Sequence, residues 1–143
     1  MTEQSSWSDP NGWARTQVEQ ILKTGTTEGI DVQGRPIVLL TMRGAKSGKE
    51  RRTPVMRVER DGHYAIVASK SGAAEHPIWY HNIKAHPEIQ LQDGTETRTF
   101  VAREVHGRER AEWWDRAVET YPQYADYQTR TSRTIPVLVL EPR

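Results

Sequence analysis

The first stretch whose residue types and spacing could do chemistry is Gly44-Ala45-Lys46-Ser47-Gly48-Lys49. Two glycines bracket a hydroxyl and a lysine, and Lys49, Arg51 and Arg52 follow closely. Backbone N–H groups, a hydroxyl and several cations in one concavity suit phosphate oxygens, which accept from amides, Lys and Arg alike. The spacing is not that of a Walker loop, which reads GxxxxGK and then Ser or Thr; here the glycines stand closer and Glu50 follows the lysine. A solvated hairpin tip is the competing reading. Ser69-Lys70-Ser71-Gly72 repeats the theme of small residues around a lysine. At one end of a barrel the two loops would form a single anion pocket.

Two aromatic segments come next. Trp79, Tyr80, His81 and Asn82 are consecutive, and on a helix Trp79, Asn82 and His86 share a face. An indole beside an amide can stack on, and hydrogen-bond to, a planar ring; a core Trp beside an Asn satisfied by backbone is the alternative. Tyr121, Tyr124 and Tyr127 lie within seven residues. On a short helix they form either a wall for a planar substrate, with hydroxyls to bond or protonate it, or an aromatic cap over a barrel mouth.

Other chemistries find no footing. There is no cysteine, which removes disulfides, zinc–thiolate sites, iron–sulfur clusters and a thiol nucleophile. The five histidines are scattered, with no HExxH or facial triad, so no metal site is expected. No GxSxG elbow is present. Asp126 near Arg130 and Arg133 reads as a surface ion pair.

Net charge is +1, too small for broad attraction to nucleic acid. Between Arg43 and Arg60, however, seven Lys or Arg face only Glu50 and Glu59, a local +5 that asks for an anionic partner at one place. The start, MTEQSSWSDP, lacks the basic and apolar regions of a signal peptide. No apolar run approaches the ~18 residues of a membrane span. A cytoplasmic protein is expected, with a peripheral membrane contact through the Trp-bearing N-terminus left open.

The elements that must position these residues follow from periodicity and turn chemistry. Residues 1–9 are expected to be disordered, and 10–143 to form one domain. Asp9-Pro10 starts a helix whose stripe is Trp13, Val18, Ile21 and Leu22, and Gly25 stops it. Ile37–Met42 is a buried strand, and Thr53–Glu59 and His63–Ala68 are strands joined at Asp61-Gly62. Pro77 opens a helix that His86-Pro87 ends. Glu88–Gln92 and Thr95–Val105 pair across a turn at Asp93-Gly94. Gly107–Thr120 is a helix with Ala111, Trp114, Ala117 and Val118 on one side, and Ile135–Leu140 is a closing strand. About six strands in hairpin succession predict an α+β, mainly antiparallel barrel with short peripheral helices.

The blocks GAKSGKERRTPV, VASKSGAAEHPIWYHNIKAHPEIQLQ and TYPQYADYQTRTSRTIPVLVLEP, in that order, resemble the deazaflavin-dependent nitroreductase family, which uses coenzyme F-420, an 8-hydroxy-5-deazaflavin. The resemblance runs from about Gly34 to Pro142 and implies a split β-barrel. It implies that Lys46, Ser47 and Arg51 hold the coenzyme's phosphate and acidic tail. Lys70, Trp79, Asn82 and Lys84 match positions that contact the rest of it, and Gly48, Pro54, Ser69 and Ile78 complete that candidate set. Tyr64, Tyr121, Tyr124 and Tyr127 match the substrate side, with Tyr127, and Tyr124 beside it, the candidate catalytic residues. Family members often carry Arg where this chain has Ala45 and an apolar residue where it has His81. The implied reaction is hydride transfer to a planar oxidised acceptor: a quinone, nitroaromatic or enone. An FMN or haem binder on the same barrel and a non-enzymatic anion-binding module are the rivals, and monomer and dimer are both open.

Overall fold

The computed structural model describes residues 13–143, without the side chain of Trp13. The expectations for residues 1–9 and for a helix start at Asp9-Pro10 therefore lie outside the described residues. The first helix, α1 (Trp13–Thr24), buries Ala14, Val18 and Ile21, while Leu22 is exposed and drops out of the expected stripe. It ends at Gly25, whose φ of +80° lets its N–H reach the Ile21 carbonyl at 2.7 Å.

Eight strands follow: β1 (Asp31–Val32), β2 (Arg35–Arg43), β3 (Glu50–Met56), β4 (Glu59–Arg60), β5 (His63–Val67), β6 (Glu88–Asp93), β7 (Glu96–Glu104) and β8 (Val137–Pro142). Six have five or more residues and β1 and β4 have two each, so the six-strand expectation counts the long ones. All pairings are antiparallel, in the order β1-β2-β6-β7-β8-β5-β4, with β3 on β2. The helices α2 (Ile78–Ala85), α3 (Gly107–Thr120) and α4 (Gln123–Thr129) cover the curled sheet.

β2 explains why IVLLTM is a continuous apolar run. Val38, Leu40 and Met42 enter one core, with Ile66, Trp79, Phe100 and Leu138. Ile37 and Leu39 enter another, with Ile21, Val67, Trp113 and Tyr124. A strand buried on both faces has no polar side to alternate with.

Turn chemistry matches at Asp61-Gly62, where φ values of +54° and +82° make a two-residue hairpin between paired Arg60 and His63. The second hairpin turns one residue later than expected. Asp93 pairs with Glu96, so Gly94 and Thr95 form the loop and Gly94 supplies the positive φ at the first central position. On α3 the buried face carries Trp113 and Ala117, Ala111 is exposed, and Trp114 is half-buried. Adjacent residues on a helix diverge by about 100°, so only one of the two tryptophans can face the sheet. Trp114 instead lies beneath the Arg110 guanidinium at 4.9 Å and beside Tyr124 at 6.4 Å.

Candidate functional site

A cavity of about 410 Å³ opens between α4, the N-terminal end of α2 and strands β2 and β3. Ile37, Pro54, Val55, Met56 and Val67 form its apolar floor, and Pro77 and Trp79 one wall. Tyr121, Tyr124 and Tyr127 line the cavity as well, together with Ser69, Lys70 and Ser71. Residues from three of the sequence's separate motifs thus meet around one space.

The lysine-bearing stretch is unusual backbone. After β5 the chain makes a tight turn, Lys70–Gly72: Ser69, which precedes it, is right-handed (φ −81°, ψ −39°), while Lys70, Ser71 and Gly72 have φ of +46°, +55° and +80°. A right-handed residue followed by a left-handed one turns successive N–H groups to the same side and makes an anion-binding concavity. Left-handed geometry costs an L-residue roughly 1–2 kcal/mol. Two such residues in a row persist only where the surroundings over-determine them. The Gly72 N–H bonds the Ser69 carbonyl at 2.9 Å and the Ala73 N–H bonds the Lys70 carbonyl at 3.0 Å. Arg133, expected to pair with Asp126 at the surface, instead donates to the carbonyls of Ala68, Ser69 and Ala73. Gln128 secures the approach to β8, donating to the Arg133 carbonyl at 2.7 Å and accepting from the Ile135 N–H at 3.0 Å.

Lys70 sits 3.6 Å from the exposed Glu75 carboxylate. An anion at the turn would compete with Glu75 for this ammonium. Glu75→Gln is therefore expected to tighten phosphate-bearing ligands about two- to fivefold, the worth of one exposed ion pair. Equal affinities in a fluorescence titration would show that Glu75 does not mask the lysine.

The first loop is tightly built. Gly44 N–H bonds the Lys49 carbonyl at 2.8 Å, and Gly48 N–H bonds the Gly44 carbonyl at 2.9 Å with Gly48 at φ +71°. Ser47 Oγ accepts from the Lys49 N–H at 3.1 Å and from Arg51 Nη2 at 3.3 Å. Asn82, buried on α2, accepts the Ala45 N–H on Oδ1 at 2.9 Å. The alternative reading of the α2 face holds: Trp79 packs in the core and Asn82 is satisfied by backbone, here the backbone of the basic loop. Lys46, Ser47, Gly48 and Arg51 do not line the cavity. Arg51 and Pro54 lie on the same strand, about 10 Å apart at the ordinary strand rise, and α2 carries both Trp79 and Asn82.

Three candidates sit elsewhere. Tyr64 is on β5, an odd number of residues from the cavity-lining Val67, so it faces the opposite side of the sheet. There its hydroxyl donates to Asp93 Oδ2 at 2.6 Å, and Arg57 Nε reaches the same oxygen at 2.9 Å. Burial and the Asp93 carboxylate push the Tyr64 phenol upward. Lys84 pairs with Glu104 at 3.2 Å. Ile78, exposed at the start of α2, lies outside the cavity lining.

The three wall tyrosines interlock, with ring centroids 5.1 to 6.3 Å apart. The hydroxyls of Tyr121 and Tyr127 are 3.3 Å apart. Burial, and then the bond to Tyr127, push the Tyr121 phenol up to about 12, and burial raises Tyr124 as well. Tyr121 and Tyr124 are therefore neutral near pH 7 and can donate. Among the described residues no group of three or more His, Cys, Asp or Glu could hold a metal ion, and no helix is long and apolar enough to cross a membrane.

The structure is a curled antiparallel barrel with an aromatic cavity lined in part by a strained, lysine-bearing turn. Comparison with known proteins names the class. The family model of the F-420H(2)-dependent quinone reductases matches residues 13–142. An F-420H(2)-dependent quinone reductase of Mycobacterium tuberculosis (strain ATCC 25618 / H37Rv) is 39% identical over 111 residues, covering 76% of this chain and 74% of the relative. A solved F-420-H2 dependent reductase is 55% identical with a TM-score of 0.72, covering 79% of this chain and all of that one. Another solved structure, described as a domain-swapped dimer, is 54% identical with a TM-score of 0.74, covering 93% of this chain and all of that one. This chain belongs to the F-420H(2)-dependent quinone reductase family: it is an oxidoreductase, its coenzyme is F-420, and its fold is the split barrel that the sequence resemblance implied.

Proposed function

We propose that this chain holds the ring of F-420 in the aromatic cavity, with its phosphate and acidic tail toward the two loops, and reduces a planar acceptor seated under α4, a quinone foremost. The observation that carries this reading is the strained turn carrying Lys70 at the rim of a cavity walled by Trp79 and three tyrosines. The donor set fits the group: a flat aromatic wall for the ring, and ammonium, guanidinium and backbone N–H groups for phosphate oxygens.

When bound, the reduced coenzyme supplies a hydride from its deazaflavin ring. The chain's own part is orientation and electrostatics. Lys70 and the backbone N–H groups of its turn grip the coenzyme, and Lys46, Ser47, Gly48 and Arg51 take the tail beyond the end of β3. Pro54, Ser69 and Trp79 border the ring, and Asn82 holds the basic loop in place through Ala45. The α4 wall excludes water and sets the acceptor in contact with the ring, where a near-attack geometry removes much of the barrier. Tyr127, hydrogen-bonded to Tyr121, holds the proton that the reduced acceptor needs, and Tyr124 packs behind both. Nitroaromatics and enones, flat and electron-poor, fit the same slot. A quinone carried in lipid would make a peripheral membrane contact useful to a cytoplasmic enzyme, and the domain-swapped neighbour makes the dimer the first assembly to test.

Titration of the purified protein with oxidised F-420, followed by tryptophan fluorescence, tests the reading. Saturable quenching is expected, weakened about tenfold in Lys46→Ala and in Lys70→Ala, the loss of one charge-assisted contact each. Saturable FMN binding with no response to F-420 would refute it.

A further inference from the structure

Arg133 does more than its place in a loop before β8 suggests. Its guanidinium uses four of its donors on one segment: Nε to the Ala73 carbonyl at 2.9 Å, Nη1 to the Ala68 carbonyl at 3.2 Å, Nη2 to the Ser69 carbonyl at 2.9 Å, and Nη1 to His76 Nδ1 at 2.8 Å. These acceptors bracket the left-handed residues Lys70, Ser71 and Gly72 on both sides. A guanidinium cannot accept a hydrogen bond, so His76 Nδ1 must be the acceptor and its ring proton must sit on Nε2. A doubly protonated imidazole has no lone pair to offer and would set a second cation against the first.

We propose that Arg133 is a positioning residue that holds the Ser69–Gly72 turn in its anion-binding shape, and that His76, as the acceptor that completes its fork, makes this hold depend on pH. The proposal rests on the reading of that turn as part of the coenzyme site. It goes beyond that reading by giving a residue outside the cavity lining control over affinity.

The surroundings of His76 agree. Its ring lies 4.5 Å from Tyr80 and 6.0 Å from His81, both on α2. Glu104 on β7 is the acidic group that favours its charged form, and that carboxylate is already held by the Tyr80 hydroxyl at 2.6 Å and Lys84 at 3.2 Å. Burial, then Arg133, then His81 keep the imidazole below its ordinary pKa. The sign follows. The unfolded chain takes up this proton at a higher pH than the folded one, so the contribution is complete above pH ~6.5 and drains away as pH falls through the depressed folded value.

The experiment is coenzyme binding from about pH 5 to 8 in the wild type, Arg133→Lys and His76→Asn. Lysine keeps the charge but not the planar fork, and asparagine offers an acceptor that does not titrate. Wild-type affinity is expected to fall in acid, and His76→Asn to lose that slope. Arg133→Lys should bind about tenfold more weakly, with KM for the coenzyme rising more than kcat falls. A role confined to stability would shift melting in each variant and leave the pH slope of His76→Asn intact; that result, or wild-type affinity in Arg133→Lys, overturns the proposal. Hydrogen exchange provides a readout that needs no coenzyme. The Gly72 and Ala73 amides, both bonded across the turn, should lose protection in acid in the wild type but keep it in His76→Asn. Unchanged protection in the wild type also overturns the proposal. A wild type that shows the exchange switch but binds no F-420 would refute the coenzyme reading alone.

Discussion

Gly72→Ala is expected to destabilise the fold by about 2–4 kcal/mol and to weaken coenzyme and acceptor binding together. Gly72 has φ +80°, and a Cβ there would stand 2.6 Å from the Tyr127 carbonyl oxygen and 2.9 Å from Arg130 Cβ. The first of these is helix backbone and cannot swing aside, so either the turn or α4 must move. The turn carries Lys70 and α4 carries Tyr124 and Tyr127, so either movement deforms the cavity from one side. Gly62→Ala is the matched control. Its φ is +82° but nothing lies within 4 Å of the added carbon, so it bears only the conformational cost, roughly 1–2 kcal/mol. Urea unfolding of both variants separates the two terms. Equal midpoints would mean that the turn does not bear on α4.

Trp79→Ala is expected to remove about 3–5 kcal/mol and to abolish most of the fluorescence response to coenzyme. Trp79 is 6% exposed and packs in the same core as Leu40, Ile83 and Phe100 while lining the cavity. Its removal opens a void on the core side and strips a flat wall from the cavity. Domains of this kind have only about 5–15 kcal/mol in hand, so the variant should fold with a narrow margin. Trp79→Phe keeps an aromatic face and most of the volume. Its stability should fall by less than half as much, and coenzyme affinity, read by calorimetry, should stay closer to the wild type than to Trp79→Ala. Equal affinity in all three proteins would remove Trp79 from the binding site.

Much of this architecture was legible in the chain itself because it obeys local rules. IVLLTM reads as a strand buried on both faces, and Asp61-Gly62 reads as a hairpin because both residues tolerate positive φ. The two lysine-bearing loops and the spacing of Tyr121, Tyr124 and Tyr127 are features of residue type and order alone. The parity that turns Tyr64 away from Val67 was also there, in the two-residue period of a strand.

What tertiary structure decided is which local pieces meet. Sequence proximity pairs Arg133 with Asp126, yet the partners of its guanidinium are 57 to 65 residues away. Asn82 finds Ala45 across 37 residues, and that bond sets the basic loop beside the helix bearing Trp79. The choice of Trp113 over Trp114 as the buried face of α3 follows from how that helix lies on the sheet, which helical periodicity alone leaves open. The physical reason is common to all three. Periodicity and turn chemistry report a residue's own backbone and its near neighbours, whereas a long side chain takes whichever acceptors the packed sheet brings within its reach.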